Sequence, residues 1–315
     1  MIYIRRVLTA LQRWFDNAAE EDNFADGAAA VPESIDWPRV IPFIGLHLGC
    51  LAVVWVGWSA FAVMVALLLY LLRMFFITGF YHRYFSHRAY RTSRPMQFLF
   101  ALLGNTAMQR GPLWWAAHHR LHHRHADSPE DVHSPRQYGF LQSHLGWFLT
   151  RSNFKTRLET VPDLARYPEL RLLDRFDSLV PIGFGIGLYS IGEVLAAHAP
   201  ELGTNGPQLF IWGFCISTVF LFNATFTVNS LAHYVGSRRY DTHDDSRNNF
   251  WLALITLGEG WHNNHHHFPG SARQGFFWWE IDMTYYALYL LQSLGLIYGL
   301  RPVPAYLRNA TIKEQ

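Results

Sequence analysis

The sequence predicts an all-α integral membrane protein: four transmembrane helices with a cytoplasmic helical cap that holds a histidine-rich metal site. Three observations predict it. Long stretches carry no charge, the basic residues gather on one side of them, and histidines repeat at helical spacing on that same side. Half of the 315 residues are hydrophobic and 16% are charged, against roughly 25% charged in an average soluble protein. The apolar runs account for that deficit, and they point to a bilayer.

At the N-terminus, Ile4, Val7, Leu8, Leu11, Trp14, Phe15 and Ala18 share one helical face, with Arg5, Arg6 and Arg13 interspersed. Such an amphipathic helix either lies in a membrane interface or packs on the protein's own surface. No charged-then-apolar stretch ends at a small-residue cleavage site, so no secretory signal is expected. Ala18 to Pro38 is acidic and contains Ala and Pro, and it reads as a linker. Residues 1–38 are thus expected to be an appendage to a membrane-embedded domain at 39–315.

Between Arg39 and Arg73 no residue is charged. With its continuation to Phe80, this run fits two spans of about 20 residues, at about 40–57 and 59–81, broken near Gly57-Trp58-Ser59. Two later runs predict spans at 179–198, with Glu193 near its end, and at 208–229. The connection from Pro200 to Gln208 is short and lacks Lys and Arg.

Four spans put every histidine cluster on one side, together with Arg83, Arg88, Arg91, Arg94, Arg120, Arg124, Lys155, Arg157, Arg238 and Arg239. The positive-inside rule makes that side cytoplasmic, with both termini. Phe98–Ala107 and Phe276–Ile297 are also apolar. The second opens with Trp278, Trp279, Glu280 and Asp282, which suits an interfacial helix better than a fifth span. Cys50 and Cys215 lie singly in apolar runs and read as small core residues. A net charge of +2 identifies no partner, and no nucleic acid is expected.

Seventeen histidines are the strongest bias in composition. His119, His122 and His123 fall at i, i+3 and i+4, on one helical face, and His262, His265 and His266 repeat the pattern. His82 and His87 close the second apolar run. Asn229 and His233, at i and i+4, follow the fourth. A lone histidine at a membrane boundary is usually a packed or snorkelling side chain, so the two weaker pairs draw their value from lying on the side of the two strong clusters. Imidazole suits Fe, Zn, Cu and Ni, and a structural zinc site closes with four ligands, commonly including Cys. Eight clustered imidazoles plus His233 and Asn229 are too many for one ion and about right for two. Spacing alone does not identify the metal. His118, His125 and His267 lie off the ligand faces, His133 and His144 read as outer groups or ordinary polar residues, and His47, His198 and His243 as structural or solvated. Asp127, Glu130, Asp131 and Glu259 are near enough in sequence to accept the second N–H of a metal-bound imidazole, solvation at the surface being the alternative for each.

At these residues the chain resembles the membrane-bound fatty acyl desaturases of the stearoyl-CoA desaturase type. The matching stretches are His82-Arg83-Tyr84-Phe85-Ser86-His87-Arg88, His119 to His123, Asn229-Ser230-Leu231-Ala232-His233, and Gly258-Glu259-Gly260-Trp261-His262-Asn263-Asn264-His265-His266. The block from Ala126-Asp127-Ser128 to Gly146-Trp147 is similar to the family too, and the likeness runs from about Arg73 to Pro304. The resemblance implies a di-iron centre on His82, His87, His119, His122, His123, His233, His262, His265 and His266, with Asn229 holding one iron through a water. It implies oxygen-dependent removal of two hydrogens from adjacent methylenes of a saturated acyl chain, leaving a cis double bond at the delta-9 position, the chain lying bent in a narrow tunnel. Iron and O2 are the implied cofactors.

The substrate-contacting positions depart from the family. Animal acyl-CoA desaturases carry an Arg-Asp pair directly before the second box, where this chain has Ala117 and His118. Of a basic pair after Gly146-Trp147 only Arg151 remains, followed by Ser152, and the tunnel Trp three residues before the Asn is Phe226. Arg110 aligns with a polar substrate contact, and Trp115 is a further candidate. Acyl-CoA is the expected substrate, with acyl carrier protein or a phospholipid as other carriers of the chain, and membrane lipids as surroundings. The sequence contains no cytochrome b5 signature and no Cys set for ferredoxin or rubredoxin, so a separate electron donor of one of those types, with its reductase, is expected on the basic face. A hydroxylase or alkane oxygenase would use the same boxes. A His-rich metal transporter would need ligands within the spans, whereas these clusters sit at their ends.

Overall fold

The computed structural model describes residues 11–19 and 34–309, and these are mostly helical with almost no sheet. Among the described residues, four helices are long and apolar enough to cross a membrane: Trp37–Val56, Ala60–Ser86, Leu179–His198 and Gly206–His233. The second runs past its expected end at 81 to Ser86, and the fourth past 229 to His233. Both extensions carry histidines out of the spans.

Each boundary has a local cause. Helix α1 (Trp37–Cys50) opens with Pro38 in its first turn, where a missing N–H is harmless. After the short turn Val53–Val56, Gly57 ends the first span at φ +65°, a left-handed conformation that suits glycine. Ser59 caps α2 (Ala60–Phe75), its hydroxyl accepting the N–H of Ala62 at 3.1 Å. From Phe76 to Ser86 the same helix continues with π-type bonding.

The fourth span is the hub: the other three pack on it, and its hydropathic window is 61% buried against 11–28% for theirs. Arg73 ties the second span to it, donating to Thr218 Oγ1 at 2.6 Å and to Ser217 Oγ. Leu48, Leu67, Leu68, Ile186, Val194 and Phe220 point outward and are exposed, as a lipid-facing surface requires.

The cap is built on α3 (Arg94–Asn105) and α4 (Pro112–His125), which pack against the π-helical continuation of α2. Ser93 caps α3. Phe80 stacks on Phe100 with ring centroids 3.8 Å apart, in a core with Tyr81, Phe85, Ala101, Leu113, Leu164 and Leu170. The start of α4 is capped from a distance, Asp174 Oδ1 accepting the N–H groups of Leu113 and Trp114 at 3.0 and 2.8 Å. Two short strands, β1 (Arg91–Thr92) and β2 (Ile297–Tyr298), pair antiparallel and fasten the C-terminal part to the cap.

Downstream of α5 (Leu179–His198), α6 (Ser217–Asn229) and α7 (His262–His267), the stretch expected to lie at the interface contains α8 (Met283–Ser293). At 11 residues this helix is shorter than a span requires, and Trp278, Trp279, Tyr286 and Tyr289 are exposed. Glu280 and Asp282 are fully buried, paired with Arg239 and Arg83 inside the cap. Residues 11–19 pack on the protein itself: Arg13 pairs with Asp36, Arg175 grips Asp16 at 2.7 and 2.8 Å, and Asn17 donates to the carbonyl of Asp174. Leu11 and Phe15 stay exposed. Ile4, Val7, Leu8 and most of the linker lie outside the described residues.

Candidate metal centre

Nine histidines from four segments converge in two groups. His82, His87, His119, His123 and His265 form one, and His122, His233, His262 and His266 the other, with all donor atoms of a group within 4.8 Å of one another. The two HxxHH boxes share themselves out reciprocally. On α4 the i and i+4 histidines join the five-histidine group and His122 joins the other; on α7 the i and i+4 histidines join the four-histidine group and His265 the other. Within the four-histidine group, His122 Nε2 and His266 Nε2 lie 3.3 Å apart.

His82 and His87 are five residues apart, which on an α-helix separates side chains by about 140°. The π-type stretch removes that separation. Its i→i+5 bonding, completed by the N–H of His87 to the carbonyl of His82 at 3.2 Å, brings the fifth residue back to the same side. Box spacing did not reveal this turn. In the fourth span the α-helix stops at Asn229, and the 3-10 turn Leu231–His233 aims His233 into its group.

Outer partners fix the imidazoles. His122 Nδ1 lies 2.9 Å from Asp131, His233 Nδ1 3.1 Å from Asp127, His266 Nδ1 2.6 Å from Asp244, and His82 Nδ1 2.5 Å from Glu259. Each carboxylate takes the Nδ1–H and leaves the Nε2 lone pair facing inward. Three of the four expected outer carboxylates take this position. Glu130 does not: it is exposed and bonds Ser128, because the turn after α4 aims Asp131 inward and Glu130 out. Asp244 and Gln274 were missed. Gln274 lies 3.3 and 3.4 Å from the Nδ1 atoms of His82 and His265 and 2.9 Å from Glu259. The acidic run Asp241 to Asp245 was the available signal for Asp244.

The electrostatics suit cation binding. Burial first, and then neighbouring imidazoles, hold His87, His119, His123, His262 and His265 well below the ordinary histidine value, so they stay neutral donors. Burial alone would raise Asp127, Asp131 and Asp244, but the imidazoles and N–H donors around them hold each below the ordinary carboxylate range. The ring nitrogens converge closely: His87 and His119 Nε2 lie 2.8 Å apart, and His82 and His265 Nε2 3.0 Å. Two clusters of neutral imidazoles backed by carboxylates fit two transition-metal ions.

The remaining histidines go elsewhere. His118 packs between Trp114 and Trp147, His267 stacks on Tyr240, and His144 bonds Ser230. His133 stacks on His122 and contacts Asp131 at 3.5 Å.

A cavity of about 690 Å³ reaches both groups, touching His82, His119, His122, His262 and Asn229. Trp115, Phe226 and Arg110 line it. Trp115 lies stacked against His119 and Phe226 is buried. Arg110 is held by Asp177 at 2.8 Å and by the carbonyl of Phe154 at 3.1 Å. Arg151 is exposed and lines no part of the cavity. From the histidines the cavity runs between the spans to Leu46, Gly49, Phe214 and Cys215.

An apolar cavity that reaches two histidine groups able to hold metal, at the ends of helices long and apolar enough to cross a membrane, fits a metalloenzyme that acts on a long apolar chain. The sequence matches the fatty acid desaturase family over residues 43–294, and the protein belongs to that family. It is 36% identical over 277 residues to the sn-1 stearoyl-lipid 9-desaturase of Anabaena variabilis, covering 85% of this chain and 95% of that one. Its identity to the sn-2 palmitoyl-lipid 9-desaturase of a Nostoc species is also 36%, over 86% and 94% of the two chains. It is 35% identical to the icosanoyl-CoA 5-desaturase of Limnanthes douglasii, over 83% and 71%.

Proposed function

We propose that this protein is an oxygen-dependent di-iron desaturase that introduces a cis double bond at the delta-9 position of a saturated fatty acyl chain. The observation that carries it is the continuity of one apolar cavity with both histidine groups. His82, His87, His119, His123 and His265 would hold one iron, and His122, His233, His262 and His266 the other, with Asn229 on the wall of the cavity that reaches both groups. Bound there, the irons would supply the activation of O2 that breaking unactivated C–H bonds demands. The overall change balances as –CH2–CH2– + O2 + 2 e⁻ + 2 H⁺ → –CH=CH– + 2 H2O. The electrons come from a separate one-electron donor protein of ferredoxin, rubredoxin or cytochrome b5 type.

The chain's own residues do the rest. Thr78, Trp115 and Phe226 wall the channel beside the metal groups and hold the acyl chain where two adjacent methylenes meet them. The carboxylates of Asp127, Asp131, Asp244 and Glu259 keep the ligand tautomers. The four spans and the arginine distribution support a cytoplasmic face for the site and both termini, with residues 39–315 as the desaturase domain and 1–38 as its appendage. CoA is the carrier implied by the family likeness.

Gas chromatography–mass spectrometry of fatty acids from a desaturase-deficient host expressing the chain tests this. New cis-monoenes are expected, and none from His119→Ala. Hydroxy products in their place would establish a hydroxylase, and an unchanged profile would reject both.

A further inference from the structure

We propose that residues 11–19 are a lid on the acyl cavity. Closed, they complete the cavity wall at its polar end, and they swing off Asp174 and Arg175 to let an acyl group enter and leave. The identity of the bound group rests on the desaturase reading, and the lid itself rests on the packing of this segment.

Arg13, Trp14, Phe15 and Asn17 all line the cavity. Trp14 Nε1 donates to the carbonyl of Pro38 at 2.5 Å, and Asn17 Nδ2 to the carbonyl of Asp174 at 2.8 Å. These bonds set the segment beside Arg39, Asp177 and Ser178, which line the same cavity. Gly49, at the apolar end, lies about 16 Å further along α1. Phe15 is wall and outer surface at once, being 44% exposed. The seam between this segment and the body therefore opens onto the cavity.

Polar ties hold the segment. Besides the two bonds above, Arg13 pairs with Asp36 and Asp16 accepts from Arg175 at 2.7 and 2.8 Å. Among the described residues, none of its side chains belongs to an apolar core, and Leu11 and Phe15 stay exposed. Opening therefore exposes little new apolar surface and exchanges these bonds for bonds to water. It also rehydrates Asp36, which is fully buried and whose Oδ1 has no hydrogen-bond partner among the described residues, a cost that the closed state carries. The body on either side is fixed. Asp174 accepts the N–H groups of Leu113 and Trp114 and, at 2.7 Å, the hydroxyl of Thr156. Residues 34–36 are bonded to 149–151, Asp36 N to the carbonyl of Leu149 at 2.9 Å and Arg151 N to that of Ser34 at 3.1 Å. Nearby cavity walls are locked too: Trp114 is buried and donates to the carbonyl of Asn153, and Arg110 is held by Asp177. Residues 20–33 join the segment to that fixed stretch and reach about 45 Å at full extension, enough for the lid to swing clear while tethered.

The test uses the full chain in membranes of a desaturase-deficient host. Asp16→Cys/Arg175→Cys replaces an ion pair that is not part of the cavity wall, and a short bismaleimide with a reducible bridge then ties the lid shut. The parent, whose cysteines are Cys50 and Cys215, is treated alongside and sets the reference rate. After quenching, host cytosol, ATP, CoA, NADH, NADPH, oxygen and deuterated stearate are added, so the host loads the chain onto its own carriers. Mass spectrometry is expected to find deuterated monoene formed about tenfold or more slowly with the lid bridged, and the rate restored when the bridge is reduced. Trypsin on the purified protein reads the lid without turnover. Cleavage after Arg13, which is 9% exposed, should be about tenfold faster in Asp16→Asn/Asn17→Ala than in the parent. Cysteines that cannot be bridged, a bridged lid that works at the reference rate, a loss that reduction does not reverse, or equal cleavage after Arg13 in parent and variant each overturn the proposal. A parent that makes no new double bonds rejects the desaturase reading instead, and the trypsin comparison still decides the lid.

Discussion

The Nδ1 of His266 lies 2.6 Å from the carboxylate of Asp244, a residue 22 positions earlier that no histidine box contains. Asp244 is fastened in turn by the N–H of Ser246 at 2.9 Å, so the carboxylate is held before the imidazole reaches it. Removing its charge while keeping its shape should loosen the metal without unfolding the cap. Asp244→Asn is expected to weaken metal affinity about 10–100-fold, read by competition with a chelator of known affinity. Glu130→Gln, on an exposed side chain, should leave it unchanged.

Gly104 of α3 tests the cap's packing. A Cβ there would meet the ring of Tyr81 at 2.1 Å, and Tyr81 is fully buried beside His82. Gly104→Ala should therefore destabilise the cap by about 1–3 kcal/mol, seen as a lower thermal midpoint in detergent. An unchanged midpoint would mean that α3 and the π-helical stretch can move apart freely.

Some of this architecture is legible because its signals are local. Hydropathy marks four runs, and the i, i+3, i+4 pattern marks two helix faces. What divides the histidines between two groups is not local. His122 and His123 are neighbours in sequence and belong to different groups, a separation set by the facing helix. The π-type bonding that aligns His82 with His87 leaves no mark in the spacing. Sequence proximity favoured Glu130 as strongly as Asp131, and only the turn after α4 distinguishes them. Glu280 and Asp282 looked like interfacial charges because their partners, Arg239 and Arg83, lie 41 and 199 positions away.

Acid should weaken the cap through the same carboxylates. Asp127, Asp131 and Asp244 sit below the ordinary aspartate value of 3.8. A folded value below the unfolded one contributes stability that is present above 3.8 and lost as the pH falls below it. The thermal midpoint should already fall between pH 6 and pH 5, where the unfolded chain takes up protons that the buried histidines refuse, and the carboxylates should add a further drop below pH 4. The metal-free Asp127→Asn/Asp244→Asn protein should show a shallower drop than the metal-free parent; an identical slope would place the acid-sensitive groups elsewhere.

Metal removal should expose the inequality of the two groups. Behind the four-histidine group stand three carboxylates, Asp127, Asp131 and Asp244, whereas the five-histidine group has Glu259 and the neutral amide of Gln274. Three of the four histidines in the smaller group are buried, against two of five in the larger. Counting ligands would make the five-histidine group the tighter, but carboxylate backing strengthens each imidazole donor and burial restricts access for a chelator. A strong chelator should therefore remove metal in two phases of one equivalent each, the slow one from the four-histidine group. Asp244→Asn should speed the slow phase alone, and Glu259→Gln the fast phase alone. Absorbance of the metal chelate reads both phases, and loss of both equivalents at one rate would rule the inequality out.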